Sequence, residues 1–270
     1  MSRLTFRSRG VPPQRVDLSA LTPEALMGKS QAEIAALTIQ MTRKALTVGE
    51  VFDVAPGDVE EIVFEGGSER FDRIGAGLKG GAIRVVGEVG VQVGRGMTGG
   101  VVRIEGSAGP FAGSGMRGGL LEIAGDVGER LGGPLAGETE GMNGGVIHVS
   151  GGAGARAGDR LRRGFILIEG VAGDYAGSRM IAGTLAIGGM AGALPGYLMN
   201  RGTILLAEGA VEMAPTFCDC GTFKLVAARL LAAHVEPISA RLGSTFRAPL
   251  RRFAGDLAAL GLGEIFTAGA

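Results

Sequence analysis

The chain has 270 residues, of which 51 are glycine, about 19 % against a usual level of roughly 7 %. With 46 % hydrophobic residues, 20 % charged residues and no net charge, it is too apolar and too weakly charged to stay unfolded, and ten prolines without glycine at every third position exclude collagen. No run approaches the roughly 18 apolar residues of a membrane helix, the first residues lack the apolar core of a secretory signal, and no basic excess marks a nucleic-acid surface, so a cytoplasmic protein without membrane or nucleic-acid partners is expected.

In chain order, residues 1–58 read as an N-terminal extension and cap. Thr22-Pro23-Glu24 has the pattern of an N-cap and first helical turn, and Ser30 with Glu33 forms a capping box ahead of Ile34, Leu37 and Ile39. Short helices are expected there.

Residues 59–226 hold a repeat. After a weaker unit with Ile62 and Phe64 as its strand, similar segments begin at Leu78, Met97, Met116, Met142, Leu161, Met180, Met199 and Cys218. The spacing is 19 residues except once, where it is 26 because seven extra residues lie within 133–141. The fourth position is always glycine (Gly81, Gly100, Gly119 through to Gly221), and further glycines recur at positions 10, 13 and 17, fading in the last two units. Positions 6 and 8 are always apolar, from Ile83/Val85 to Phe223/Leu225, around a residue that is often charged (Arg84, Arg103, Glu122, His148). Alternation of period 2 is that of a short strand with one face inward, and glycines beside it suit sharp corners and close layers. One strand per 19 residues, with no helical stripe, predicts an all-β parallel solenoid of about eight coils. The recurring methionines should fill one internal column. Such a stack leaves an open strand edge at each end that needs a cap or a partner.

Residues 227–270 read as a C-terminal extension, beginning in a helical segment from Lys224 to His234 and continuing in an apolar stretch from Phe246 to Phe266. Each end is basic, with seven Lys/Arg against four Asp/Glu in residues 1–50 and six against three in 221–270.

No catalytic or metal-ligating set emerges. His148 should point outward between two inward residues, and Cys218 and Cys220 fall in the repeat's methionine position and beside its glycine. Strings resembling GxGxxG follow the 19-residue period instead of a strand, loop and helix, so they are not phosphate sites. Asp159, Glu169 and Asp174 are the carboxylates a stand-alone solenoid enzyme would have to use. A local basic set (Arg156, Arg160, Arg162, Arg163, Arg179, Arg201) is either a solvated rim or an anion-binding stripe, with Arg160, Arg179 and Arg201 stacked near one corner.

The coil pattern M-x-G-G-x-V-x-I-x-G-x-A-G, the element Gly173-Asp174-Tyr175-Ala176-Gly177 and the tail RFAGDLAALGLGEI from Arg252 to Ile265 resemble the C subunit of the formylmethanofuran dehydrogenase family over nearly the whole chain. The coil pattern alone is also similar to the C-terminal domain of the glutamate synthase large subunit. The resemblance implies a right-handed parallel β-helix. It also implies a non-catalytic structural subunit of a hetero-oligomeric complex in tetrahydromethanopterin-linked one-carbon metabolism. Of the family's two branches, the bacterial formyltransferase/hydrolase complex fits the lysine-poor, arginine-rich composition better than the archaeal tungsten or molybdenum dehydrogenase. The implied partners are the catalytic formyltransferase and hydrolase subunits, and the implied cofactor, held by the complex, is a methanofuran-like polyglutamylated carrier. Arg160, Arg163 and Arg179 are the candidate contacts for that anionic tail.

Overall fold

The computed structural model describes residues 3–39 and 45–268. The chain opens with β1 (Arg3–Ser8) and β2 (Val16–Asp17), the helices α1 (Pro23–Leu26), α2 (Gln31–Ala35) and α3 (Val48–Val51), then β3 (Phe52–Ala55), β4 (Asp58–Glu65) and β5 (Phe71–Asp72). Both expected caps form. Thr22 accepts from the Ala25 N–H, and Ser30 accepts from the Glu33 N–H while the Glu33 carboxylate accepts from the Ser30 N–H.

Each repeat then supplies one main strand: β6 (Ala82–Val86), β7 (Val101–Ile104), β8 (Leu120–Ile123), β9 (Asn143–Val149), β10 (Arg163–Ile168) and β11 (Thr184–Ile187). The short β12 (Ala191–Ala193) precedes β13 (Arg201–Leu206), and β14 (Ala210–Glu212) follows it. Neighbouring repeats pair in parallel and in the register of the sequence repeat, so Ile83, Val102, Leu121, Ile147, Ile166, Leu185 and Ile204 stand one over another. A second parallel ladder of single bridges joins Ser68, Val89, Ala108, Val127, Ala153, Ala172 and Ala191. Every layer therefore crosses the stack at least twice and turns between crossings. The space between the ladders is filled by the inward apolar pairs and by Met97, Met116, Met142, Met180 and Met199, all fully buried.

The ends depart from the repeat. At the N-terminal end, β1 lies parallel to β4, with Phe6 opposite Phe64, and β3 closes the edge antiparallel to β1. Phe6, Phe52, Phe64 and Phe71 pack with ring centroids 5.0–5.8 Å apart, an aromatic plug at the end of a stack whose middle layers are filled by aliphatic side chains and methionine. The N-terminal extension thus contributes a strand to the stack.

At the C-terminal end the expected eighth coil does not form. Cys218–Phe223 is an exposed edge strand, β15, paired antiparallel with β16 (Leu250–Gly255). The place beside β13 is taken by β17 (Leu262–Ala268), whose buried Ile265 stands over Ile204. The reason is a corner. Position 17 of the repeat is a left-handed glycine at Gly94, Gly113, Gly132, Gly158, Gly177 and Gly196, but Pro215 occupies it in the last unit, and proline holds φ near −65°. The chain leaves the stack there, and Ala214 and Phe217 join the core at its end.

Between β15 and β16, α4 (Val226–Val235) and α5 (Ala240–Arg247) fold back over the outer face of the sheet. On that face Arg84, Arg103, Glu122 and His148 give way to Leu167, Ala186 and Leu205, which are buried against Ala228, Ala232, Val235, Leu242 and Phe246. The C-terminal extension is therefore part of the core. Among the described residues, no helix is long and apolar enough to cross a membrane.

Candidate functional site

The corners place side chains in an unusual backbone conformation. One column of left-handed residues, position 15 of the repeat, is Gln92, Phe111, Arg130, Arg156, Tyr175 and Leu194, with φ between 55° and 62°. A second, position 19, is glycine in the early layers (Gly77, Gly96, Gly115) but Arg160, Arg179 and Leu198 after the insertion, with φ of 52–56°. Glycine adopts this conformation freely, whereas other residues pay about 1 kcal/mol or more. Two arginines standing where glycine would serve therefore mark this corner as a candidate site.

Arg160 and Arg179 line a cavity of about 540 Å³ between the corner and the insertion, together with Phe111, Arg130, Asp159 and residues 134–139. The insertion is pinned to the stack by ion pairs from Arg95 to Glu138 and from Arg162 to Glu140. Arg160 Nη1 donates to the carbonyl oxygens of Glu138 and Thr139, at 3.4 and 3.3 Å, so its charge is held in place without being neutralised. Arg179 is differently committed. Its Nε and Nη2 donate to the two oxygens of the fully buried Asp159, at 3.0 and 2.5 Å, and Ser178 Oγ donates to the same carboxylate at 2.8 Å. Arg130 Nη1 stands 3.7 Å from Asp159 and its guanidinium lies over the Phe111 ring at 5.9 Å. One buried carboxylate thus organises two of the three guanidinium groups and leaves the cleft with excess positive charge.

Of the three arginines singled out in the sequence, Arg160 and Arg179 come together and Arg163 does not. Arg163 is exposed at the start of β10, where its backbone pairs with Asn143, and it does not line the cleft. Arg201, expected to continue the corner column, begins β13, and Leu198 takes the corner place. Phe111, Arg130 and the organising role of Asp159 were not recognised. The available signal was the repeat position, since position 15 carries a long side chain in every layer from Gln92 to Leu194. Glu169 pairs with His148 at 3.1 Å, and Asp174 accepts from the Ala193 N–H at 2.8 Å, so neither stands as one of two facing carboxylates. Cys218 and Cys220 are free thiols, and no group of three His, Cys, Asp or Glu among the described residues is arranged to hold a metal ion.

The sequence matches no family model. It is 50 % identical over 86 residues to the C subunit of the formyltransferase/hydrolase complex Fhc of Methylorubrum extorquens strain AM1, and the aligned stretch spans 32 % of this chain and 32 % of that relative. The structural likeness extends over the whole fold. A chain in the crystal structure of the formyltransferase/hydrolase complex (FhcABCD) from Methylorubrum extorquens in complex with methylofuran superposes with a TM-score of 0.93 and 44 % identity, covering 98 % of this chain and 100 % of that one.

Proposed function

The chain belongs to the family of C subunits of formyltransferase/hydrolase complexes, and on that premise we propose that it is a non-catalytic structural subunit holding formyltransferase and hydrolase subunits together in the cytoplasm. In such a complex a formyl group passes from formyl-tetrahydromethanopterin to a methanofuran-like carrier and is then hydrolysed to formate. The end-to-end likeness to a chain of a multi-subunit assembly is the observation that carries this reading. A stack of coils wound as a right-handed parallel β-helix suits the role, because close-packed layers keep distant surfaces at fixed separation.

The cleft between the corner and the insertion is the proposed contact for the carrier's carboxylate-rich tail. Arg160 is the principal cation, because among the described residues its guanidinium meets carbonyl oxygens and no carboxylate. Arg179 contributes the outer face of its pair with Asp159, and Arg163 acts as an exposed charge on the neighbouring corner. The test is coupled formate release by the reconstituted complex carrying Arg160→Glu, Arg163→Glu or Arg179→Lys, the last of which keeps Asp159 paired. Slower coupled release with an intact complex is expected, most strongly for Arg160→Glu. Unchanged throughput in all three variants would remove the tail contact, and a native protein that purifies alone as a monomer would remove the scaffold role.

A further inference from the structure

Helix α4 is apolar on every side. Of its ten residues, VAARLLAAHV, only Arg229 and His234 have polar side chains. Ala228, Ala232 and Val235 are buried against the sheet, yet Val226 and Leu230, one turn apart on another face, are 73 % and 70 % exposed. In the same hairpin α5 behaves as a solvent-facing helix does, burying Leu242 and Phe246 and turning Arg241, Ser244 and Arg247 outward. A helix without a polar face is normally enclosed on all sides. The bare face of α4 is also continuous with an open sheet edge, because Phe223, itself 42 % exposed, ends β15, the last strand of its sheet.

Two cavities flank the start of α4 and share Leu225 as a wall. One, of about 220 Å³, is walled by Phe223, Ala227, Leu231 and Phe266, and the Arg252 and Glu264 that also line it neutralise each other. The other, of about 280 Å³, is walled by Val226 together with Lys224, Arg229 and Arg247. Arg247 is paired with Glu236, but among the described residues Lys224 and Arg229 have no ion-pair partner, and α4 has no acidic residue in its first turn. An apolar hollow beside an unopposed basic one fits a chain segment that carries a large apolar side chain next to a carboxylate. A second copy of this chain fits poorly. A two-fold contact would set Lys224 and Arg229 against their own equivalents, and the nearby carboxylates Asp219, Glu236 and Glu264 are already committed to Arg251, Arg247 and Arg252. We infer that the exposed face of α4 is the docking surface for an acidic, apolar segment of a partner subunit. The inference rests on the scaffold reading and adds to it the place and chemistry of one contact.

Amide hydrogen exchange of the full chain, free and assembled with the formyltransferase and hydrolase subunits, tests it. Residues 223–231 are expected to exchange about tenfold more slowly, or slower still, in the complex. Val226→Glu separates docking from folding. At the first position of α4 a carboxylate is favoured by the helix dipole, so the Tm of the free chain should be unchanged or higher. Affinity for one of the two subunits should nevertheless fall about tenfold or more, because the new charge faces the partner's carboxylate in an apolar contact. Lys224→Ala combined with Arg229→Ala should weaken assembly and flatten its dependence on salt. If Val226→Glu lowers Tm, exchange in the native chain decides. Unchanged exchange at 223–231 in an assembled complex, or a stable Val226→Glu chain that assembles like the native one, would overturn the docking surface and leave the scaffold role standing. Protection of α4 by self-association of the free chain would give the face to a second copy and overturn it as well. A native chain that assembles with neither subunit would remove the scaffold role and this contact with it.

Discussion

The terminal methyl of Met97 lies 2.7 Å from the point where a Cβ on Gly119 would stand, in the next layer of the stack. The same contact recurs between Met116 and Gly145, Met142 and Gly164, and Met180 and Gly202, and the series ends with Met199 against Gly263 of the returning strand. The methionine column and the fourth-position glycines are therefore one device: a flexible side chain fills the space that only a residue without Cβ leaves open.

At Gly119 both reasons for glycine coincide, a φ of 84° and the carbonyl oxygen of Gly100 at 2.7 Å from the added carbon. Gly119→Ala should cost about 2–4 kcal/mol, from the left-handed backbone and overpacking together. Gly115 has a φ of 62° but nothing within 4 Å, so Gly115→Ala should cost only about 1 kcal/mol. Urea unfolding of the two variants measures the difference, and equal costs would contradict the layer contact.

Asp159 is fully buried while Arg179 keeps 35 % of its side chain exposed. Removing the carboxylate lets Arg179 turn to water, so Asp159→Ala should cost about 2–3 kcal/mol, less than breaking a wholly buried pair. A double-mutant cycle with Arg179→Ala should show a coupling of about 1 kcal/mol or more. Additive effects would mean that the two groups do not act as a unit.

Leu167 shares its outer-face column with Glu122 and His148 but lies under α4 and α5. Leu167→Glu should release the helical hairpin, which limited proteolysis would detect as new cleavage within residues 226–247, because an unpaired charge cannot remain buried there. Arg103→Leu, at the same repeat position in the uncovered part of the sheet, should change stability by no more than about 0.5 kcal/mol. Protection of α4 and α5 in Leu167→Glu would sink this account.

The Asp256 carboxyl is nearly inaccessible, at 1 % exposure. Burial pushes its pKa up, but hydrogen bonds from Thr216, Ala258 and Leu198 outweigh this and hold it below the ordinary carboxylate value. A carboxyl more acidic in the folded state stabilises fully above its unfolded pKa, about 3.9, and loses that contribution as pH falls through the folded value. The stability gap between the native chain and Asp256→Ala should thus be constant from about pH 7 to pH 5 and narrow below about pH 4. A gap unchanged at about pH 3 would place the stabilisation elsewhere.

The periodic part of the fold was readable because every layer faces the same neighbours and so requires the same residues at the same positions. Glycine at position 4, apolar residues at 6 and 8 and the buried methionines each express a contact repeated layer after layer. The unit at Cys218 kept enough of that pattern to look like another coil, while the loss of glycine at positions 10, 13 and 17, with Pro215 at the last of these in the unit before it, signalled otherwise. At the candidate site, the sequence exposed the cluster of arginines but not their grouping. Arg160 and Arg179 are joined by a turn conformation and by Asp159, whereas Arg163, only three residues beyond Arg160, is carried by its strand to a different corner.

By itself the sequence determined the layered β architecture, the position of the irregular insertion, the capped N-terminal helices and the resemblance to one component of a one-carbon complex. Only the tertiary structure decided how the stack is closed. The entry of β1 and β17, the exclusion of residues 218–223 and the burial of Leu167, Ala186 and Leu205 depend on pairing between segments far apart in the chain. Local periodicity records the contacts a residue makes with its own repeat, and end closure is made with segments that belong to none.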